Sequence, residues 1–414
     1  MRSVIAASLR KERIVIVGGG MAGSKLAYEL CQQQNKSTQI TLIGEEKQLG
    51  YNRIMLSSLL ANDITQADMA LVDTQKMILS GAEIVSGDPV QGISAEDKSL
   101  SLHSGRTLYY DKLILATGSR ASILPIQGAS AENVIGFRNW QDVQTMSAMA
   151  GSQPVSVIGG GLLGLEAAVG LAKRGHQVTV FHRSKYLLNR QLDRESARLL
   201  QNKLETMGIT FLLGESPQAL LHNDQGVVSH IERADGSIMA TNLVVMAAGI
   251  TPEVKVAKQA GLQINRAILV DAQMRTSCPD VFALGECCEF DGQTFGLVAP
   301  IWSQINVLLA VLAGKHADFS VAPVPTKLKV SGVNLFSVGR IQPTADDNCI
   351  VFQDEGSNHY RKLIVNDGYL VGAILYGNVA DGSWYFQLIQ NKTNVSDMLD
   401  LLVFGEAYCQ SKVA

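Results

Sequence analysis

The sequence predicts an α/β protein with two parallel-sheet units, one inserted into the other, followed by a small α+β domain. Three observations carry this. Two glycine-rich turns, Gly18 to Gly23 and Gly159 to Gly164, each follow a run of β-branched apolar residues and open onto a helix-like segment. Two further apolar strands close on small residues, Ala116-Thr117-Gly118 and Ala247-Ala248-Gly249. Beyond Pro323 and Pro325 the glycine pattern does not return, and strand-like and helical stretches of a different character complete the chain.

Length and composition set the frame. At 414 residues the chain is too long for one ordinary core. Hydrophobic content of 46%, charged content of 18% and 38 glycines describe a well-packed, turn-rich chain. A net charge of −3 argues against a nucleic-acid partner, which needs a basic face. No apolar run reaches the length of a membrane span, and the patch within Met1 to Arg10 is too short for a signal-peptide core. No membrane association and a cytoplasmic location are therefore expected. The six cysteines, at 31, 278, 287, 288, 349 and 409, form no CxxC or zinc-ligand pattern. No metal site and no disulfide framework are expected.

Ile14 to Val17 suits a strand buried on both faces. Gly18 permits the tight turn out of it, and Gly20 lets the backbone approach a pyrophosphate. Gly23 lets the next helix, read as Ser24 to Gln33, pack closely with its positive end toward the phosphates. Met21 and Ala22, between these glycines, belong to the same candidate site. The strand Gln39 to Ile43 ends at Gly44-Glu45-Glu46. An acid about 20 positions beyond the last glycine grips an adenosine ribose diol. Glu46 is preferred, Glu45 stays open, and an exposed turn carboxylate is the alternative. Arg53 is a candidate contact for the pyrophosphate or the ring system. Gly81 to Gly92 reads as strand and turn, with Val90 a further candidate, and Lys98 to Leu108 as a hairpin. Ala116, Thr117 and Gly118 end a strand and allow close backbone approach to a ligand in the crevice there.

Val155 to Ile158 leads into the second turn, whose candidates are Gly159, Gly161, Leu163, Gly164 and Glu166. Both units are thus Rossmann-like. The ribose end differs here, because Gln177 to Phe181 runs into His182-Arg183 instead of a carboxylate. Losing the acid removes a contact that favours NAD, and Arg183 suits a 2′-phosphate or is simply solvated. Asn189 to Met207 reads as an amphipathic helix and Val227 to Ile238 as a hairpin. The strand from Asn242 closes on Gly249. Pro279 to Glu286 reads as a strand delivering Glu286, after Gly285, to a polyol. Gly296 to Gly314 reads as an apolar helix with Pro300 in its first turn, whose dipole suits negative charge on a reduced ring. Leu328 to Val338 reads as strand-like, Arg361 to Tyr376 as a hairpin, and Trp384 to Phe404 as helical.

In this order, the motifs resemble the two-dinucleotide flavoprotein reductases of glutathione-reductase-like fold. Tyr51 to Ser58, Leu188 to Asp193, Ala283 to Cys287, Gly296 to Trp302 and Thr326 to Phe336 are similar to the FAD/NAD(P)H module of assimilatory nitrite reductase large subunits. They also resemble the electron-transfer subunits of assimilatory nitrate reductase, with rubredoxin and ferredoxin reductases as wider relatives. The resemblance implies FAD on the first turn and NADH or NADPH on the second. It implies a domain division of 1–124 with 250–318 for FAD, 125–249 for NAD(P)H, and 319–414 as a C-terminal interface domain. It places Glu166 near the nicotinamide carboxamide, Glu286 on the ribitol, and Trp302 near the ring, a core aromatic being the alternative for Trp302. Ser58 stands where related ferredoxin reductases carry Lys, which leaves open how Glu166 is paired.

The implied activity is hydride transfer from NAD(P)H to the flavin, with electrons leaving for a separate acceptor protein. That acceptor is a nitrate or nitrite reductase component, a rubredoxin or a ferredoxin, and the chain is a monomer or homodimer. The iron–sulfur and sirohaem parts of a nitrite reductase have no counterpart in these residues, so they are not expected to reduce nitrite by themselves. A disulfide reductase or peroxide-reducing oxidase needs a redox cysteine, and neither a CxxxxC pair on the first helix nor a Cys within Tyr51 to Leu60 exists. A redox-sensing flavoprotein is the remaining rival.

Overall fold

The computed structural model describes residues 10–33, 37–330 and 332–410. They form two compact units. The first comprises the described residues of Met1–Leu56, Ile64–Arg120 and Ile250–Ala322. The second comprises those of Ser57–Asp63, Ala121–Gly249 and Pro323–Ala414.

The first unit is built on a five-stranded sheet in the order Val281–Ala283, Lys112–Leu115, Glu12–Val17, Thr38–Gly44, Glu83–Ser86. Every pairing in it is parallel. The apolar run at 14–17 therefore sits at the centre of the sheet, and all four residues are buried. From Glu12–Val17 the chain builds two strands to one side, then places Lys112–Leu115 on the other. That reversal opens a crevice at the carboxyl ends of Glu12–Val17 and Lys112–Leu115, where the first glycine turn lies. The helices Met21–Gln32 and Val298–Leu312 pack together. The hairpin expected over 98–108 is present as Ser99–Leu102 with Thr107–Tyr109, which Val90–Ser94 extends to three strands.

The second unit repeats the plan with the order Thr210–Leu213, Gln177–His182, Pro154–Ile158, Leu243–Met246, Val134–Gly136, again all parallel. Its reversal lies between Pro154–Ile158 and Leu243–Met246, beside the second glycine turn. The C-terminal part of this unit is an antiparallel sheet in the order Thr326–Val330, Val333–Gly339, Tyr369–Tyr376, His359–Asn366, Asn348–Asp354. The helix Gly382–Gln390 covers it, with Phe336, Leu363, Leu375 and Tyr385 in a shared core.

Three elements differ from the sequence expectation, each for a local reason. Leu328 to Val338 is a hairpin rather than one strand: Val330 pairs with Val333, and Gly332 takes φ +81°. The stretch Trp384 to Phe404 is broken after Gln390, where Lys392 adopts φ +49° and Asn394 bridges to Tyr369. The helix expected from Asn189 starts at Arg194. Leu188 has φ +49°, and the Asp193 carboxylate caps the helix by accepting from the Ser196 N–H at 3.0 Å.

Candidate functional site: two matched glycine turns

The two turns are built alike to within tenths of an ångström. Gly18 has φ +123° and Gly159 φ +127°, conformations that side chains with a Cβ rarely adopt. A Cβ on Gly18 would lie 2.1 Å from the Ala116 carbonyl oxygen, and one on Gly159 would lie 2.3 Å from that of Ala247. A Cβ on Gly23 would lie 1.9 Å from the Gly18 oxygen, and one on Gly164 would lie 1.8 Å from the Gly159 oxygen. The third glycine of each turn thus seats the helix directly on the carbonyl of the first. Backbone bonds tie each turn across its sheet. The Gly18 N–H donates to Ile43 at 2.7 Å and the Gly159 N–H to Phe181 at 2.8 Å.

The middle glycines behave differently. Gly20 and Gly161 are the N-caps of Met21–Gln32 and Leu162–Lys173, and neither helix has a side-chain cap. A Cβ on Gly161 would meet nothing within 4 Å, and one on Gly20 would meet only the Arg53 guanidinium, at 3.5 Å. Open space facing helix-start amides and the positive end of a helix dipole is what a pyrophosphate requires. Met21 and Ala22 begin the first helix. Leu163, 39% exposed, lies in the first turn of the second.

Around the first turn, Glu46 is engaged through both oxygens: Arg53 ion-pairs with one and the Tyr51 hydroxyl donates to the other at 2.6 Å. Arg53 also lies 5.5 Å from the centroid of the Tyr51 ring. Glu45 is exposed and meets Arg120 at 3.0 Å, while Arg120 also pairs with Glu253. Ala116 is buried, Gly118 has φ +68°, and the Thr117 hydroxyl donates to the Glu253 carbonyl at 2.6 Å. Gly285 has φ +85°, and its N–H donates to the buried Gln304 side chain at 2.8 Å. Glu286 accepts from the Ser119 hydroxyl at 2.9 Å. Val90 and Trp302 are partly buried and pack on the core of this unit. Cys287 and Cys288 are fully buried, and burial pushes both thiols above their ordinary range.

Around the second turn, His182 Nδ1 accepts from the Gly160 N–H at 3.1 Å, and burial draws the imidazole down toward its neutral form. Arg183 is exposed. Gly249 has φ +134° and its carbonyl accepts from the Ser122 N–H at 3.0 Å. Glu166 is largely withdrawn from water, and desolvation raises its carboxyl to about 7. One hydrogen bond opposes that rise, and it comes from Ser57, the neighbour of the residue singled out in the sequence. Ser58 is half-buried, and its carbonyl accepts from the Asp63 N–H. Sequence reasoning missed Ser57, Arg120, Glu253 and Gln304. Arg120, Glu253 and Gln304 meet their partners across 75, 133 or 19 residues, which no local spacing signals.

Residues 12–311 match the profile of the pyridine nucleotide-disulphide oxidoreductases. The chain belongs to that family. Its cofactors are accordingly FAD and NAD(P)H, and the matched turns, with their uncapped helix starts, fit two dinucleotides. Residues 323–393 match the rubredoxin NAD+ reductase C-terminal domain. The chain is 38% identical over 389 residues to the NAD(P)H nitrite reductase of Bacillus subtilis (strain 168), covering 94% of this chain and 48% of that protein. It is 38% identical over 375 residues to the assimilatory nitrate reductase electron transfer subunit of the same organism, covering 90% of this chain and 48% of the relative. The chain thus spans about half the length of these curated relatives. Among solved structures, the putidaredoxin reductase–putidaredoxin complex has the same fold, with TM-score 0.84, 23% identity, and coverage of 95% of this chain and 96% of that one. All six cysteines are free in the structure, Cys31, Cys287, Cys288 and Cys409 being buried.

Proposed function

We propose that the chain is an FAD-dependent NAD(P)H:acceptor oxidoreductase that passes electrons to a separate redox protein, as part of assimilatory nitrate or nitrite reduction. The observation that carries this is the pair of matched turns, each with an open, uncapped helix start, in a chain similar to a nitrite reductase and to an electron transfer subunit of an assimilatory nitrate reductase. A rubredoxin or ferredoxin acceptor is the second reading, favoured by the match of residues 323–393.

In this reading the first unit holds FAD and the second holds NADH or NADPH. Bound FAD supplies the group that takes hydride from NAD(P)H and passes the electrons on. The protein's part is placement and electrostatics. The amides at Gly20 to Ala22 and the Arg53 guanidinium hold the FAD pyrophosphate, Glu45 or Glu46 the ribose, and Glu286 the ribitol. Backbone at Val90 and Ala116 to Gly118 lines the same cleft. Trp302 and the start of Val298–Leu312 shape the ring end. Gly159, Gly161, Leu163 and Gly164 hold the second pyrophosphate, Arg183 and His182 flank its ribose, and Glu166 and Gly249 serve its nicotinamide end. The domain division at residues 124, 249 and 318 belongs to the same proposal.

Anaerobic rapid mixing of the flavin-loaded protein with NADH and with NADPH tests it. Bleaching of the flavin band by one or both is expected. A flavin that stays oxidised with both refutes the reductase reading and favours a sensor. Reoxidation by a nitrate or nitrite reductase component, set against a rubredoxin and a ferredoxin, selects the acceptor.

A further inference from the structure

The turn that delivers Glu286 is held by side chains as well as by the backbone around it. Gly285 follows the strand Val281–Ala283 and adopts φ +85°. It lies against the start of the helix Met21–Gln32, where a Cβ on it would be 3.4 Å from the Ala22 Cβ. Its N–H donates to Gln304 Oε1 at 2.8 Å, from the helix Val298–Leu312. Its carbonyl accepts from the Cys288 N–H and, at 3.2 Å, from the Cys288 thiol. The N–H belongs to the peptide plane before the Cα and the carbonyl to the plane after it, so the two anchors together fix both dihedrals of Gly285. The next residue is Glu286, whose carboxylate takes the Ser119 hydroxyl at 2.9 Å.

Packing does not call for a glutamine at 304. The side chain is wholly buried, and its Nε2 meets no hydrogen-bond partner among the described residues. A leucine or a methionine fills a similar volume without burying a polar donor. What the glutamine adds is an acceptor for the Gly285 N–H, brought from a separate element. The adjacent cysteines fit the same purpose. Cys287 Sγ lies 3.2 Å from the Leu284 carbonyl oxygen and 3.4 Å from that of Leu115, which ties the turn to the neighbouring strand Lys112–Leu115. Burial raises both thiols, so they stay protonated and donate.

We infer that Gln304, assisted by Cys288, is a positioning residue for Glu286: by holding the peptide groups on both sides of the Gly285 Cα, the pair fixes the direction in which the Glu286 carboxylate is presented to the ribitol of FAD. This rests on the reading of the first unit as the FAD site with Glu286 on the ribitol. It also gives the two buried cysteines a role as hydrogen-bond donors to the turn, with no redox step of their own.

The test is a double-mutant cycle on the flavin-loaded protein. The parent protein and its variants are diluted, and the FAD released is followed by its fluorescence to give a dissociation constant. Gln304→Leu should weaken FAD binding about tenfold, the equivalent of one buried hydrogen bond. Gln304→Glu keeps an acceptor oxygen and should stay within about threefold of the parent. Cys288→Ala should weaken binding only about threefold, because the backbone N–H still holds the Gly285 carbonyl, and Cys288→Ser should restore it. Glu286→Ala should itself weaken binding about tenfold or more, and adding Gln304→Leu to it should change the constant less than about twofold. If Gln304→Leu does not fold, Gln304→Met, which keeps the length of the side chain and loses the acceptor, completes the same cycle. Equal factors with and without Glu286 overturn the inference, because Gln304 then supports the fold and not the carboxylate. Unchanged FAD binding in Gln304→Leu or in Glu286→Ala overturns it as well. A parent protein that holds no FAD is a separate result, which refutes the underlying reading and the inference with it.

Discussion

Replacing Gly161 and Gly164 by alanine separates space kept for a ligand from space the fold itself consumes. At Gly164 the new methyl carbon would lie 1.8 Å from the Gly159 carbonyl oxygen, against an ordinary contact of about 3.5 Å. Helix or turn must then give by about 1.7 Å, and the obstacle is backbone, with no rotamer to move it aside. Overpacking of this kind costs about 1–3 kcal/mol, and here the upper end applies. The gain in helix propensity, about 1 kcal/mol, offsets only part. A net loss of about 2 kcal/mol lowers the melting temperature of the second unit by roughly 4–8 °C. At Gly161 nothing lies within 4 Å, and φ −86° suits alanine. Gly161→Ala should therefore melt within about 2 °C of the parent protein. It should nevertheless bind NAD(P)H roughly 10–100-fold more weakly, because the methyl group blocks phosphate approach to the helix-start amides. Thermal unfolding followed by circular dichroism, and NAD(P)H titration of the oxidised flavoprotein, measure the two effects. If Gly161→Ala binds NAD(P)H normally, or loses as much stability as Gly164→Ala, the assignment of that open space to phosphate is wrong.

Four further outcomes are expected. Glu46→Ala, which also releases Arg53 and Tyr51, should purify with less FAD than Glu45→Ala. Full flavin content in Glu46→Ala, read from absorbance, would move the ribose contact to Glu45. Asp193→Ala removes a buried carboxylate that receives the Tyr360 hydroxyl at 2.6 Å and Lys362 at 3.1 Å, and it should cost about 3 kcal/mol in urea unfolding. Arg13 holds the Asp111 carboxyl down at about 2, so this pair stabilises the fold above about pH 4 and is lost as pH falls through 2. The stability gap between the parent protein and Asp111→Asn should therefore be full at pH 6 and close toward pH 2. Finally, Cys31→Ala should reduce its flavin with NAD(P)H within about twofold of the parent rate, whereas a disulfide mechanism through Cys31 would abolish turnover.

The sequence carried the parts of this molecule that depend on backbone geometry. Gly18, Gly23, Gly159 and Gly164 announce themselves because nothing larger fits, and the strands around them because both faces are buried. Boundaries were less visible where a single dihedral decides them, as at Leu188, Gly332 and Lys392. The side-chain partners were least visible. Ser57 and Ser58 are chemically equivalent in one dimension, and nothing in their spacing tells that the segment 57–63 joins the second unit rather than the first. The edge strand Val134–Gly136 and the capped helix Trp140–Ser147 were passed over. Yet Asn139 and Asp142 form a capping box that the spacing alone could have revealed.

The detour of residues 57–63 also bears on dissecting the gene. A protein made from residues 121–249 and 323–414 alone would keep every strand of the second unit's parallel sheet and of its C-terminal antiparallel sheet. It would still lack Leu60 against Gly170, the acceptors for Arg174, and the Asp63 partner of Lys173. The exposed flank of the Leu162–Lys173 helix would become a sticky, under-hydrated seam. Half-protein complementation should therefore succeed only when the seven residues are supplied, either fused or as a peptide in trans, which makes this short stretch a handle for controlling assembly from outside.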